Sequence, residues 1–337
     1  MTKTPRPPKT KQTSPAAPQG RRAPARESHA GDASSYGAET LAHFVTIRDY
    51  LRWAVTRFEA AGLDYSQGRQ TARAEAEYLL ARSLGLQPEE LGDFLDTRLL
   101  PEEKTRVLAA LRQREIERKP AAYITHEAWF CGLKFYVDER VLIPRSLLEE
   151  FIEEGFQPWV DPNHVHRILD LCTGSGCIAI SLAYAFQGAQ VDAADISADA
   201  LEVTRRNIAA HGVQDYVHPV QSDLFGNLQG RRYDLIVSNP PYVDAAAMAE
   251  LPAEYHREPA LALAAGDTGL DCVIPLLRHA AEHLTEHGVL VVEVGDSETA
   301  LQQRYPDVPF LWLEHSAGGS GIFLLTAEQL REHAGRW

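Results

Sequence analysis

The residues best suited to chemistry stand at the end of an apolar run, Tyr233-Asp-Leu-Ile-Val-Ser238, which leads into Asn239-Pro240-Pro241-Tyr242. Two successive prolines remove two amide donors and set φ. Asn239, preceding a proline, is biased to extended backbone. The product is a rigid platform with the Asn239 Oδ1 beside the Pro240 carbonyl. Two acceptors in one plane can take both hydrogens of an –NH2 group. Held this way, a conjugated nitrogen has its lone pair drawn toward an incoming methyl group, and Tyr242 can pack on the flat face of the acceptor. Such orientation lowers a barrier by several kcal/mol without a general base.

Upstream, Arg167-Ile-Leu-Asp170-Leu runs into Cys172-Thr173-Gly174-Ser175-Gly176-Cys177 and then an apolar helix. A strand, a tight glycine turn and a helix N-terminus form a nucleotide-type cofactor site at the carboxyl end of a sheet. Gly174 and Gly176 let backbone come close to a ligand. A second strand ends in Asp195, 25 residues after Asp170, with Ile196 beside it. A carboxylate there can accept both hydroxyls of a ribose. A third strand ends at Ser222-Asp223-Leu224, where an acid can accept from the exocyclic amine of adenine and apolar neighbours can flank the ring. Taken singly, Asp195 is also a good helix cap, as is Ser197. Three strand ends in register favour a nucleoside cofactor. The GxGxxG fingerprint lacks its third glycine, because position 179 is Ala. That alone does not exclude NAD; Asn239 to Tyr242 argues against it.

These strand ends need a scaffold. After Pro144, strand candidates at 167–171, 190–194, 216–220, 232–238, 288–294, 309–315 and 320–326 alternate with helices, notably 176–186, 198–212 and 267–286. That alternation predicts an α/β domain over 144–330, a mostly parallel sheet with helices on both faces. Residues 331–337 form a C-terminal tail. Residues 43–118 read as a helical domain. Ala72, Ala76, Leu79, Leu80 and Leu84 share one stripe, and Pro101 opens a helix with Val107, Leu108 and Leu111 on one face. Residues 119–143 alternate aromatic and β-branched residues with polar ones, as in Leu133, Phe135 and Val137. Gly132 falls at a turn, so this segment reads as a β-hairpin linker. Residues 1–42 are Pro-, Ala-, Ser-, Thr- and Arg-rich and are expected to be a disordered tail.

The chain has 337 residues and a net charge of −14. Its first 26 residues hold seven basic residues and no acid, which leaves a body of −21. An acidic body does not suit sequence-independent duplex binding and does suit a basic protein partner. The tail could make a weak RNA contact. Four cysteines, Cys131, Cys172, Cys177 and Cys272, include no CxxC pair, so neither a disulfide scaffold nor a metal site is expected. With no long apolar stretch and no apolar leader, the expected location is cytoplasmic and no membrane partner is expected.

Asn239 to Tyr242, joined to the loop from Asp170 to Gly176, resembles the amino-methyltransferases that use S-adenosylmethionine. These act on exocyclic amines of adenine or cytosine, or on the amide of glutamine. The remainder, from about residue 45 to 328, resembles the protein-glutamine methyltransferases of the HemK/PrmC family. Pro120 to Thr125, Phe130 to Asp138, Val141 to Arg145 and Glu258 to Gly266 carry that resemblance. It implies a Rossmann-like methyltransferase fold, a mixed seven-stranded sheet with a small N-terminal helical domain that recognises the substrate. The release-factor branch usually reads Pro-Arg-Pro-Glu/Asp-Thr-Glu after the hairpin, where this chain has Pro144-Arg-Ser-Leu-Leu-Glu149. Thr125-His126 stands where that branch has Thr-Gly. These departures are similar to the PrmB type, which implies a glutamine of ribosomal protein L-three, free or in an assembly intermediate, as the target.

By the resemblance, Asn239 and the Pro240 carbonyl hold the glutamine amide, Asp195 binds the ribose, Asp223 the adenine, and Thr173 to Gly176 face the methionine moiety. Phe130, Arg145 and Glu149 are placed to line the pocket. Read locally, Phe130 is also a plain core residue, and Arg145 with Glu149 an i,i+4 pair. A release-factor glutamine and a nucleic-acid base are the rival acceptors. A factor that binds S-adenosylmethionine without catalysis is a further rival, which the full Asn239 to Tyr242 platform opposes.

Overall fold

The computed structural model describes residue 36, residues 42–316 and residues 321–337. Apart from residues 36 and 42, the tail over 1–42 lies outside the described residues. The first long helix, α1 (Ile47–Ala61), starts on a capping box between Thr46 and Asp49 and stops at Gly62, with φ 57°. In α2 (Ala72–Leu84), Ala72, Ala76, Leu79 and Leu80 are buried, and Leu84 packs partly against the same cluster. A short α3 (Leu91–Phe94) precedes α4 (Pro101–Glu115), which begins at the expected proline and buries Val107 and Leu111. Each such large apolar side chain contributes roughly 1.5–3 kcal/mol on burial.

The linker is less regular than its alternation predicts. Pro120, Ala121 and Ala122 begin a short helix, α5 (Ala121–Thr125), because fixed φ and alanine both favour a helical start. Only β1 (Ala128–Phe130) and β2 (Leu133–Phe135) pair as a hairpin. The turn falls where expected, at Cys131 (φ 47°) and Gly132 (φ 66°).

After α6 (Leu148–Glu153) come β3 (Arg167–Leu171), α7 (Cys177–Ala185), β4 (Gln190–Asp195), α8 (Ala198–His211), β5 (Val217–Gln221) and β6 (Tyr233–Ser238). The second half holds α9 (Ala245–Glu250), α10 (Val273–His283), β7 (Leu284–Glu293), α11 (Glu298–Arg304), β8 (Leu311–Leu313), β9 (Ile322–Thr326) and α12 (Ala327–Glu332). The helix expected over 267–286 is shorter at both ends. Gly266 and Gly269 hold positive φ before it. At its other end, Leu284 already pairs with Tyr233 in the sheet. The strand expected over 309–315 keeps only three paired residues.

The seven strands lie in the order β5-β4-β3-β6-β7-β9-β8. β9 runs antiparallel to both its neighbours, and the other pairs are parallel. Alternation along each strand splits the core into two layers. Ile168, Leu235, Val237 and Val291 pack with α6 and α7, whereas Leu169, Ile236, Leu290 and Val292 pack with α10 and α12. The chain order reverses at β3, whose neighbours are β4 and β6, and open α/β sheets bind ligands at the carboxyl ends of such strands.

Candidate active site

At the reversal, Leu171 pairs with Ser238 on one side and Ala194 on the other, while Asp195 pairs with Gln221. The next residues along, Cys172, Asn239 and Ser222, therefore emerge at one edge. They border a cavity of about 650 Å³, lined also by Gly174, Asp195, Ile196, Asp223, Leu224 and Pro241. That size suits a small-molecule ligand.

The loop after β3 is held from below. Asp170 is fully buried, and its Oδ2 accepts from Thr173 Oγ1 at 2.5 Å and from the Ala179 amide at 3.0 Å. Its Oδ1 has no partner. Burial pushes this carboxyl up to about 7, against the lowering effect of those two hydrogen bonds. Asp170, Thr173, Ser175 and Gly176 thus shape the loop and do not line the cavity. Gly176 adopts φ 81°, and a Cβ there would come 2.8 Å from Thr204 Cγ2. At Gly174 (φ 55°) a Cβ would meet nothing within 4 Å, so this backbone is open to a ligand.

Asp195 does more than cap α8. Its Oδ2 accepts from the Gly174 amide at 2.9 Å and its Oδ1 from the Ser197 amide at 2.9 Å, while Ser197 itself caps the helix. Each oxygen retains a second lone pair for a hydroxyl donor. Burial raises its affinity for a proton above that of an ordinary carboxylate. Asp223 is exposed, and its carboxylate has no hydrogen-bond partner among the described residues. Ser222 is committed to the turn: its hydroxyl donates to Leu224 O at 2.7 Å and accepts from Asn227 N at 2.9 Å. Open backbone at Gly174, the half-buried Asp195 and the free acid of Asp223 along one cavity fit a ligand with hydroxyl and amine donors.

Asn239 is half-buried on the opposite wall, and its amide has no partner among the described residues. Tyr242 stands beside that wall and not in it. Its hydroxyl donates to Glu293 Oε1 at 3.2 Å, and its carbonyl accepts from Ser297 Oγ at 2.8 Å. Glu293, almost fully buried, takes a second bond from Ser146 Oγ at 2.5 Å. Burial pushes both Glu293 and Tyr242 toward their protonated forms.

The three residues expected to line the pocket take other posts. Phe130 is a core side chain in the α6–α7 layer. Glu149 accepts from the Cys131 amide at 2.5 Å. Arg145 pairs with Glu258, not with Glu149, and borders a second cavity, of about 520 Å³, between the helical bundle and the linker. Sequence reasoning passed over Glu293 and Glu258 because each is an ordinary acid in its local context. Cys131, Glu149 and Glu153 converge closely enough to be considered as metal ligands. Glu153 is solvent-exposed and Glu149 is already used by backbone, so the cluster gives no built site.

The methyltransferase small domain family model matches residues 154–255, and the PrmC N-terminal domain model matches residues 49–125. The ribosomal protein uL3 glutamine methyltransferase of Neisseria gonorrhoeae (strain ATCC 700825 / FA 1090) is 49% identical over 286 residues, 85% of this chain and 95% of that protein. Its namesake in Neisseria meningitidis serogroup B (strain ATCC BAA-335 / MC58) is 49% identical over 286 residues, 85% of this chain and 94% of that protein. The chain belongs to the uL3 glutamine methyltransferase family. As a member of that family it is a methyltransferase, and the reaction needs a methyl donor. The PrmC N-terminal match spans α1 to α5, and the methyltransferase match spans β3 to β6. Among solved structures, the hMettl16 catalytic domain in complex with the MAT2A 3'UTR hairpin 6 aligns with a TM-score of 0.45 at 19% identity, over 66% of this chain and 80% of that one. No helix among the described residues is long and apolar enough to cross a membrane.

Proposed function

We propose that the chain transfers the methyl group of S-adenosylmethionine to the side-chain amide nitrogen of a glutamine in ribosomal protein uL3, the L-three of the large subunit, in the cytoplasm. The observation that carries this reading is the unpartnered Asn239 amide, which shares a cavity with Asp195 and Asp223. Asp195 accepts from the ribose hydroxyls, Asp223 from the adenine amine, and Ile196 and Leu224 flank the base. When bound, S-adenosylmethionine supplies an electrophilic methyl group. Asn239 Oδ1 and the Pro240 carbonyl accept the two amide hydrogens of the glutamine, and Pro241 stiffens the platform. Tyr242, tied to Glu293, keeps the platform in register. Positioning is the main source of rate, with no general base required.

The helical region over 43–118 serves substrate recognition, residues 119–143 link it to the catalytic domain over 144–330, and the acidic body favours a basic partner. The basic tail adds a weak, salt-dependent contact with RNA of an assembling ribosomal particle. To test the activity, the intact chain and its Asn239→Ala variant are incubated with isotopically labelled S-adenosylmethionine and a mixture of uL3, release factors, RNA and DNA, and the products are read by peptide and nucleoside mass spectrometry. The expected product is one methyl group on a uL3 glutamine, with transfer falling at least about 100-fold in the variant while donor binding persists. A label found instead on a release-factor glutamine, or on RNA or DNA, overturns the assignment.

A further inference from the structure

Between Tyr242 and α10 the chain makes an excursion that returns to its starting point. The Val243 amide donates to Leu263 O, and the Ala265 amide to Val243 O, both at 2.9 Å. The returning limb lines the donor cavity through Pro259, Leu261, Ala262 and Ala264. This wall packs lightly: its short helical turn, Ala260–Ala262, buries none of its residues, Leu261 is 60% exposed, and Leu263 alone among residues 259–264 is buried. Its position must therefore be imposed from its ends. One end is the pairing with Val243.

The other end is Glu258, whose side chain is fully buried. Arg145 Nη1 lies 2.9 Å from each of its oxygens, the Ile143 amide donates to it at 3.0 Å, and Gln67 Nε2 donates to it as well. Gln67 belongs to the helical region, and Ile143 and Arg145 lie at the linker's junction with the catalytic domain. Just upstream, Glu254 accepts from Arg114 Nη1 at 3.1 Å, Arg118 Nη1 at 3.2 Å and the Asp64 amide at 3.2 Å. Tyr255 Oη sits 3.0 Å from Ser66 Oγ, and the Arg145 guanidinium lies 5.1 Å above the Tyr255 ring. Two carboxylates taken out of water beside a cavity wall carry a desolvation cost that loop closure alone does not require. Their donors come from the helical region, from the segment that follows it and from the linker's junction with the catalytic domain.

We infer that Glu258 is a positioning residue for the donor cavity. Held by Arg145 and Gln67, it moors the Pro259–Ala264 wall to the helical region and the linker, so the region that meets the substrate also sets how firmly the methyl donor is held. This rests on the donor assignment above. Coupling of this kind is reciprocal: substrate docking on the helical region tightens the donor site, and a bound donor tightens docking.

The test uses the full chain and the variants Glu258→Gln, Arg145→Met and Gln67→Ala. Hydrogen exchange over residues 259–264 is measured without ligand, and S-adenosylmethionine and S-adenosylhomocysteine are titrated by calorimetry. Glu258→Gln is expected to speed exchange in that wall, leave α7 unchanged and weaken donor binding about tenfold, within the usual range for coupled sites. Its kcat at saturating donor stays within a small factor of the unaltered chain, so the change falls on the KM for donor. Gln67→Ala, which removes one of the three donors to Glu258, shifts both readouts in the same direction by less, and covers the case in which Glu258→Gln folds poorly. Unchanged exchange in the wall, or faster exchange with unaltered donor affinity, overturns the inference. If the unaltered chain takes up no S-adenosylmethionine, the donor assignment fails instead, and the exchange comparison alone decides the mooring.

Discussion

Gly295 lies against the ring of Tyr242 so closely that a Cβ at Gly295 would stand 2.6 Å from Tyr242 Cε2. The contact joins the turn after β7 to the platform after β6, 53 residues apart in sequence. With the Tyr242–Glu293 hydrogen bond, it places the end of Asn239 to Tyr242 in a slot that no larger side chain leaves open.

Gly295→Ala therefore tests the slot. The alanine is strained at φ 46° and overlaps the ring. The variant should lose roughly 1–3 kcal/mol of stability and most of its methyl transfer, while donor binding persists. Urea denaturation and a donor titration check the two halves. Full activity at saturating donor would mean that Tyr242's position does not matter.

Asp195→Ala removes an acceptor from the cavity and from the Gly174 amide together. Donor affinity should fall by at least about tenfold, the cost of leaving such donors unpaired. Turnover at saturating donor should change much less. Calorimetry giving an unchanged dissociation constant would remove Asp195 from the site.

Asp170 makes stability depend on pH. Its carboxyl holds a proton up to about 7 in the fold, against an ordinary value of 3.8. The native chain thus binds the proton more tightly than the unfolded chain. The resulting stabilisation is complete below 3.8 and is lost as pH rises through about 7. Asp170→Asn, which cannot ionise, should flatten that part of the curve. Urea midpoints near pH ~5 and pH ~8 measure it. A variant with the same fall between them would show that other groups carry the dependence.

Arg114 is buried with Glu75 and Glu254, and it also donates to Asp64 O at 2.5 Å. Arg114→Met strands the buried Glu75 carboxylate and leaves Glu254 with only Arg118 and the Asp64 amide, and should cost about 3–5 kcal/mol. Adding Glu75→Gln and Glu254→Gln to it should restore part of the loss, because the uncompensated charges are gone. Denaturation of the single and triple variants decides, and an equal loss in both would assign the cost to packing.

Sequence by itself determined the strands that carry the site, the two glycines of the loop, and the acids at the ends of β4 and β5. Each of these is a local arrangement: an apolar run, a turn residue, a polar residue at the next position. The platform over Asn239 to Tyr242 was legible for the same reason, since its rigidity comes from adjacent prolines. Only the tertiary structure decided that Arg145 pairs with Glu258 across 113 residues and not with Glu149 one helical turn away. The same holds for Tyr242 meeting Glu293 and Gly295, and for Phe130 turning into the core. Burial and partner choice depend on which distant segments the sheet order brings together. A glutamate that looks like any surface acid in the chain becomes an anchor only where the fold takes it out of water and surrounds it with donors.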